Sequence, residues 1–147
     1  VPGATGYLDT NYAGKVSAAI EALAKDDFVY VHIEAPDEAG HEGSLSKKIE
    51  AIEAFDAKVV GPMVEQLGRF PLVRVLLETD HPTPISRRTH VDDPVPFLLI
   101  EDLHNGQPGQ NASTTFGEGL ARAAGWHLES GEELFDYFMK CGGRRSF

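Results

Sequence analysis

The sequence predicts an α/β domain, a mostly parallel sheet flanked by helices. Three observations predict it. Short apolar runs alternate with longer amphipathic ones. The short runs are apolar nearly throughout, as strands buried on both faces are. Histidine-rich polar segments follow them, at the edge where open α/β sheets bind ligands.

Each element has its own signal. Residues 11 to 25 set Val16, Ile20 and Leu23 on one helical face, with Thr10 or Asn11 as N-cap. FVYVHI, residues 28–33, is β-branched and aromatic and predicts a buried parallel strand. PDEAGHEG then predicts a loop. From Ser44 to Leu67, Leu45, Ile49, Ile52, Phe55, Val59, Met63 and Leu67 recur every three or four residues, which predicts one long amphipathic helix. Pro62 should kink it.

LVRVLLE, residues 72–78, predicts a second strand, and FLLI, residues 97–100, a third. The stretch between them, PTPISRRTHVDDPVP, is rich in proline. HNGQPGQNAS predicts a surface loop, and Asn111-Ala112-Ser113 within it reads as an accidental glycosylation match. Thr115 with Glu118 and Ser130 with Glu133 have capping-box spacing for two closing helices. Leu134, Phe135, Phe138 and Met139 should pack the last helix down, and residues 142–147 should form a flexible tail. The whole reads as a single partial domain.

Composition narrows the function classes. The 147 residues are 41% hydrophobic and 24% charged, with a formal net charge of −10. The basic residues are scattered apart from Arg87-Arg88 and Arg144-Arg145, which argues against nucleic acid or anionic lipid as partner. No stretch reaches the roughly 18 consecutive apolar residues of a membrane span, and no basic-then-apolar leader is present. The lone Cys141 cannot form an internal disulfide and fits a reducing compartment, so a cytoplasmic location is expected. The start at Val1, without an initiator Met, is expected to mark a piece of a longer polypeptide.

The chemistry concentrates at the predicted strand ends: Asp37 and His41, then Asp80 and His81, then His90. Carboxylate oxygen and imidazole nitrogen suit Mn²⁺, Zn²⁺, Co²⁺ and, where oxygen dominates, Mg²⁺. Asp-x-x-x-His can turn both side chains toward one ion, and Asp80-His81 could serve a second. Two cations about 3.5–4 Å apart clamp the attacking and leaving oxygens of a phosphoryl transfer. Each pattern alone has a plainer reading as a turn, a cap or a satisfied histidine.

The strings VPGATGYLDTNYAGK, VHIEAPDEAGHEG, AIEAFD and TDHPTP…RRTHVDDPVPFLL resemble the archaeal type of cofactor-independent phosphoglycerate mutases, within the alkaline phosphatase superfamily. The resemblance covers roughly residues 1 to 125. It implies an alkaline phosphatase-like fold, of which this chain supplies the carboxyl-terminal part. It also implies interconversion of 2- and 3-phosphoglycerate through a phosphoserine and two divalent ions, Mn²⁺ foremost.

By motif, Asp37, His41 and His90 resemble the ligands of one ion, and Asp80 and His81 those of the second. The nucleophilic serine, its neighbouring lysine, a further aspartate ligand and the domain that grips the glycerate have no matching motif here. They are expected upstream, which would leave this chain inactive alone, with the missing upstream part as its partner.

Other polar residues keep two readings. His32, Glu34 and Glu38 could orient a ligand histidine, or belong to salt bridges and a solvated loop. Arg87 and Arg88 could meet substrate phosphate or carboxylate, or balance Asp92 and Asp93. Lys48, Glu53 and Asp56 read as the polar side of the long helix, solvated or paired along it, Lys15 as surface, and Ser44 and Ser46 as helix-start residues. Two other functions stay open: a metal-dependent phosphatase or phosphotransferase on another small phosphorylated metabolite, and a non-catalytic module that binds metal or a partner.

Overall fold

The computed structural model describes residues 1–104 and 115–140. They divide into two compact units, the first Val1–Arg69 with His81–Asp93, the second Phe70–Asp80 with the chain from Pro94 onward. The sequence alone predicts one partial domain.

The first unit is helical. Helix α1 spans Tyr12–Leu23, and Asn11 caps it by accepting a hydrogen bond from Gly14 N–H at 2.9 Å. Its buried residues are Tyr12, Val16, Ala19 and Ile20, which matches the predicted face.

Residues 28–33 form no strand, contrary to expectation, and carry no regular secondary structure. A strand exists only by hydrogen-bonding to another, and the described residues lay none alongside. Burial still alternates: Val29, Val31 and Ile33 are half-buried, while Phe28, Tyr30 and His32 are exposed. Lys15 of α1 is not simply surface, because its Nζ donates to the His32 carbonyl at 2.8 Å.

The predicted loop after it is helix α2, Ala35–Glu42. Its signals are local. Pro36 sits in the first turn, where its missing N–H costs nothing. Asp37 and Glu38 face the positive helix start, and His41 the negative end. Gly43 stops the helix in the left-handed conformation, φ +71°.

Ser44 then caps helix α3, Leu45–Phe55, accepting from Lys47 N–H at 3.4 Å. The long helix continues as a π-helical turn, Asp56–Val60, and as α4, Gly61–Leu67. The irregularity therefore precedes Pro62. A proline ring collides with the carbonyl four residues back, here that of Lys58, and widening that turn relieves it. Ala35, Ala39, Ala51 and Ala54 are buried, so small side chains fill the interior beside α2 and α3, whereas Leu45, Ile49 and Ile52 of the predicted apolar face are exposed.

In the second unit, β1 (Val75–Glu78) and β2 (Phe97–Ile100) pair antiparallel, Val75 opposite Ile100 and Glu78 opposite Phe97. The sequence predicts a parallel arrangement. Residues 79–96 contain no helix, and a parallel pair needs a crossover that is usually helical.

Helix α5 spans Glu118–Ala124 with Gly117 at its N-cap and no side-chain cap, so Thr115 lies too early to act as predicted. Helix α6 spans Gly131–Lys140, and Ser130 Oγ accepts from Glu133 N–H at 3.2 Å as the spacing predicts. Leu134 is buried, whereas Phe135 and Met139 are exposed. Trp126 stacks edge-on against Phe97 and Tyr137. The Asn111 motif, Cys141, Arg144, Arg145 and the predicted tail lie outside the described residues. No helix among the described residues is long and apolar enough to cross a membrane.

Candidate metal centre

One turn of α2 carries Asp37 and His41 on the same face, because residues four apart stack along a helix. The segment after β1 brings His81 and His90 to that face. His41 Nε2 lies 3.3 Å from Asp37 Oδ2 and 3.1 Å from His90 Nε2. His90 Nε2 is 3.5 Å from Asp37 Oδ1, and His81 Nδ1 is 3.9 Å from the same oxygen. The His81 and His90 rings stack at 3.6 Å between centroids.

His41 Nδ1 is 3.1 Å from the Arg88 carbonyl oxygen. A carbonyl only accepts, so Nδ1 holds a proton and Nε2 is the ring nitrogen turned toward Asp37 and His90. When Nε2 carries no proton its lone pair faces a carboxylate, a repulsive arrangement that a metal ion between them would relieve. Arg88 reaches this position in a left-handed backbone, φ 55°, which is uncommon for a side chain of its size.

The donor set fits a divalent ion. A tetrahedral ion with bonds of about 2.0–2.1 Å separates its ligand atoms by roughly 3.3 Å. The spacings among Asp37, His41 and His90 run from 3.1 to 3.5 Å, with His41 facing Oδ2 and His90 facing Oδ1 of the carboxylate. Asp37, His81 and His90 also offer ligand atoms within 4.8 Å of one another.

Burial acts to raise the Asp37 pKa, but the Thr83 hydrogen bond and the nearby His41, His90 and His81 outweigh it. The carboxyl is held below its ordinary value, and so stays charged and able to ligate.

The grouping differs from the sequence expectation in one respect. His81 shares the patch of Asp37 and His90 instead of standing with Asp80 alone. Asp80 belongs to the second unit, just after β1. There, burial raises the Glu78 pKa and the Asp80 charge adds to the rise.

His32 is exposed and meets the Tyr30 ring edge-on at 6.1 Å. Glu34 occupies the N-cap of α2 without a side-chain cap, its carboxylate over Gly6. Glu38 turns to a separate cleft beside Tyr7, Leu8 and Asp9. None of these contacts is with His41, His81 or His90, which favours the plainer reading of all three. Arg87 is exposed, and the Arg88 guanidinium lies across Gly43.

Two residues were not marked by sequence reasoning as part of the site. Thr83 is 3% exposed and donates from Oγ1 to Asp37 Oδ1. Lys48, predicted to be solvated or paired along its helix, instead donates from Nζ to the Thr83 carbonyl at 2.5 Å. Burial draws the Lys48 pKa below its usual value, against the pull of Asp37. The signal for Thr83 was its place between Pro82 and Pro84, since a residue before proline is confined to extended backbone. No local signal marked Lys48.

Similarity to known proteins agrees with this chemistry. The 2,3-bisphosphoglycerate-independent phosphoglycerate mutase of Methanosarcina mazei is 58% identical over 142 residues, 95% of this chain and 35% of its own length. The enzyme of that name from Methanothrix thermoacetophila is 64% identical over 100 residues, 67% of this chain and 26% of its own. The solved PH0037 protein of Pyrococcus horikoshii superposes with a TM-score of 0.70 at 33% identity, over 83% of this chain and 35% of that one. The chain thus spans about a third of the length of the longer-matching curated relatives. Residues 1–130 match the Metalloenzyme superfamily, and the chain belongs to that family.

Proposed function

We propose that this chain is part of a 2,3-bisphosphoglycerate-independent phosphoglycerate mutase of alkaline phosphatase-like architecture. That enzyme would interconvert 2- and 3-phosphoglycerate through a phosphoserine, in the cytoplasm. The carrying observation is the convergence of Asp37, His41, His81 and His90 within hydrogen-bonding or ion-pair distance, in a chain similar to mutases over 95% of its length.

Asp37, His41 and His90 would hold one divalent ion, with His81 beside them. Asp80 would serve a second. When bound, such ions offset phosphoryl charge and make a hydroxyl easier to ionise. Similarity to the mutases makes Mn²⁺ the first choice, and the mixed carboxylate–imidazole set is also compatible with Zn²⁺, Co²⁺ and Mg²⁺.

The residues of this chain have clear tasks in that reading. Asp37 supplies the negative charge. His41, oriented by the Arg88 carbonyl, presents Nε2 rather than a proton. Arg87, exposed on the same segment, can approach an anionic substrate. The nucleophile and the glycerate-binding groups come from elsewhere in the polypeptide.

The test is a coupled assay from 3-phosphoglycerate with the full-length protein, with and without Mn²⁺. Metal-dependent formation of 2-phosphoglycerate is expected, and Asp37→Asn should abolish it. Release of inorganic phosphate without isomerisation would replace the mutase with a phosphatase. Full turnover in a metal-stripped protein would overturn the reading.

A further inference from the structure

Three elements of the first unit converge on Thr83. From the 81–90 segment, Thr83 Oγ1 donates to Asp37 Oδ1 on α2 and lies 3.4 Å from His81 Nδ1. From α3, Lys48 Nζ donates to the Thr83 carbonyl at 2.5 Å. Gly40 sits one turn along α2 from Asp37, and a Cβ there would run into the Thr83 carbonyl oxygen and press on its methyl group. The threonine is thus clamped from two sides, and it is more deeply buried than the histidines it adjoins.

These contacts have an asymmetric effect on the carboxylate. A terminal carboxylate torsion is soft and roughly two-fold, so Asp37 alone would swing freely. The Thr83 hydroxyl holds Oδ1, which leaves Oδ2 directed at His41 Nε2, 3.3 Å away. Lys48 is the unexpected partner. Its ammonium is near enough to Asp37 to interact with it electrostatically, yet it cannot ligate and would weaken electrostatically any ion held there. Its place makes sense as a fixed donor to the Thr83 carbonyl, where a charge-assisted hydrogen bond is stronger than a neutral one.

We infer that Thr83 and Lys48 are positioning residues that set metal affinity by locking the Asp37 carboxylate in its ligating orientation. This rests on the metal-site reading above. Partners that orient metal ligands are typically worth about ten- to a hundred-fold in affinity.

The experiment measures Mn²⁺ dissociation constants by calorimetry and the visible absorption of Co²⁺, using the full-length protein. Thr83→Val keeps the side-chain shape but loses the donor, and should weaken Mn²⁺ binding by about ten-fold or more. It should also alter the intensity of the Co²⁺ bands, which report coordination geometry. Thr83→Ser restores the hydroxyl and should recover both signals. Lys48→Met should weaken binding as well, whereas simple relief of charge repulsion predicts tighter binding. Because Lys48→Met leaves the threonine in place, it stays informative if Thr83→Val folds poorly.

Asp37→Asn serves as reference. If it abolishes binding while Thr83→Val and Lys48→Met bind as wild type, the positioning role is wrong and the metal site stands. If the wild type binds no Mn²⁺ or Co²⁺, both fall.

Discussion

His41 Nδ1 lies 3.1 Å from the carbonyl oxygen of Arg88, and this one hydrogen bond decides which imidazole nitrogen faces Asp37. The residues are 47 positions apart, so the tautomer of a helix residue is set by a segment that arrives much later in the chain. The left-handed backbone of Arg88 is part of the arrangement.

His41→Ala should therefore weaken Mn²⁺ binding by at least about a hundred-fold, more than loss of an orienting partner alone. Arg88→Gly should leave it near wild type, because glycine adopts φ > 0 readily and keeps the carbonyl. Calorimetric titration of the two variants checks this. Equal losses in both would show that the Arg88 side chain, and not its backbone, matters.

Stability without metal should carry the signature of Asp37. Its pKa is lower in the folded protein than the ordinary aspartate value of 3.8. A depressed carboxyl contributes stability above the unfolded pKa, and this is lost as pH falls through the folded value. The melting temperature of the chelator-treated protein should fall below about pH 4 more steeply for wild type than for Asp37→Asn. Parallel curves for the two proteins would contradict the shift.

Gly40→Ala should damage the site from the helix side. Alanine normally favours a helix interior by about 1 kcal/mol over glycine, but here its Cβ meets the Thr83 carbonyl. The variant should be less stable in urea and bind Mn²⁺ more weakly, two effects in the same direction. A stabilised variant with unchanged affinity would show that the 81–84 segment yields without cost.

His32→Ala should leave Mn²⁺ affinity unchanged, since the ring is exposed and stacks edge-on with Tyr30. Its main-chain carbonyl, which receives Lys15, survives the substitution. A large loss of affinity on titration would return His32 to the site.

The helices were legible where apolar residues repeat, Val16 and Ile20 in α1 and the run from Leu45 to Leu67, but the buried side of α3 was not: Leu45, Ile49 and Ile52 are exposed, and Ala51 and Ala54 are buried. Helix α2 was missed because charged residues obscured the apolar face made by Ala35 and Ala39. Its end signals, Pro36 and Gly43, were present and were read as turn residues. The 28–33 run shows the opposite failure. Val29, Val31 and Ile33 have strand composition, but a ladder needs a second strand, and composition cannot supply one.

The sequence by itself determined the residue types of the candidate site: Asp37, His41, His81 and His90 supply the carboxylate and imidazole groups that suit a divalent ion. Only the tertiary structure decided that His81 joins Asp37 and His90, which nitrogen of His41 turns inward, and that Lys48 reaches Thr83. Local spacing fixes neighbours through backbone geometry. Contacts between residues dozens of positions apart depend on how α2, α3 and the 81–90 segment close on one another, and no window of sequence contains that closure.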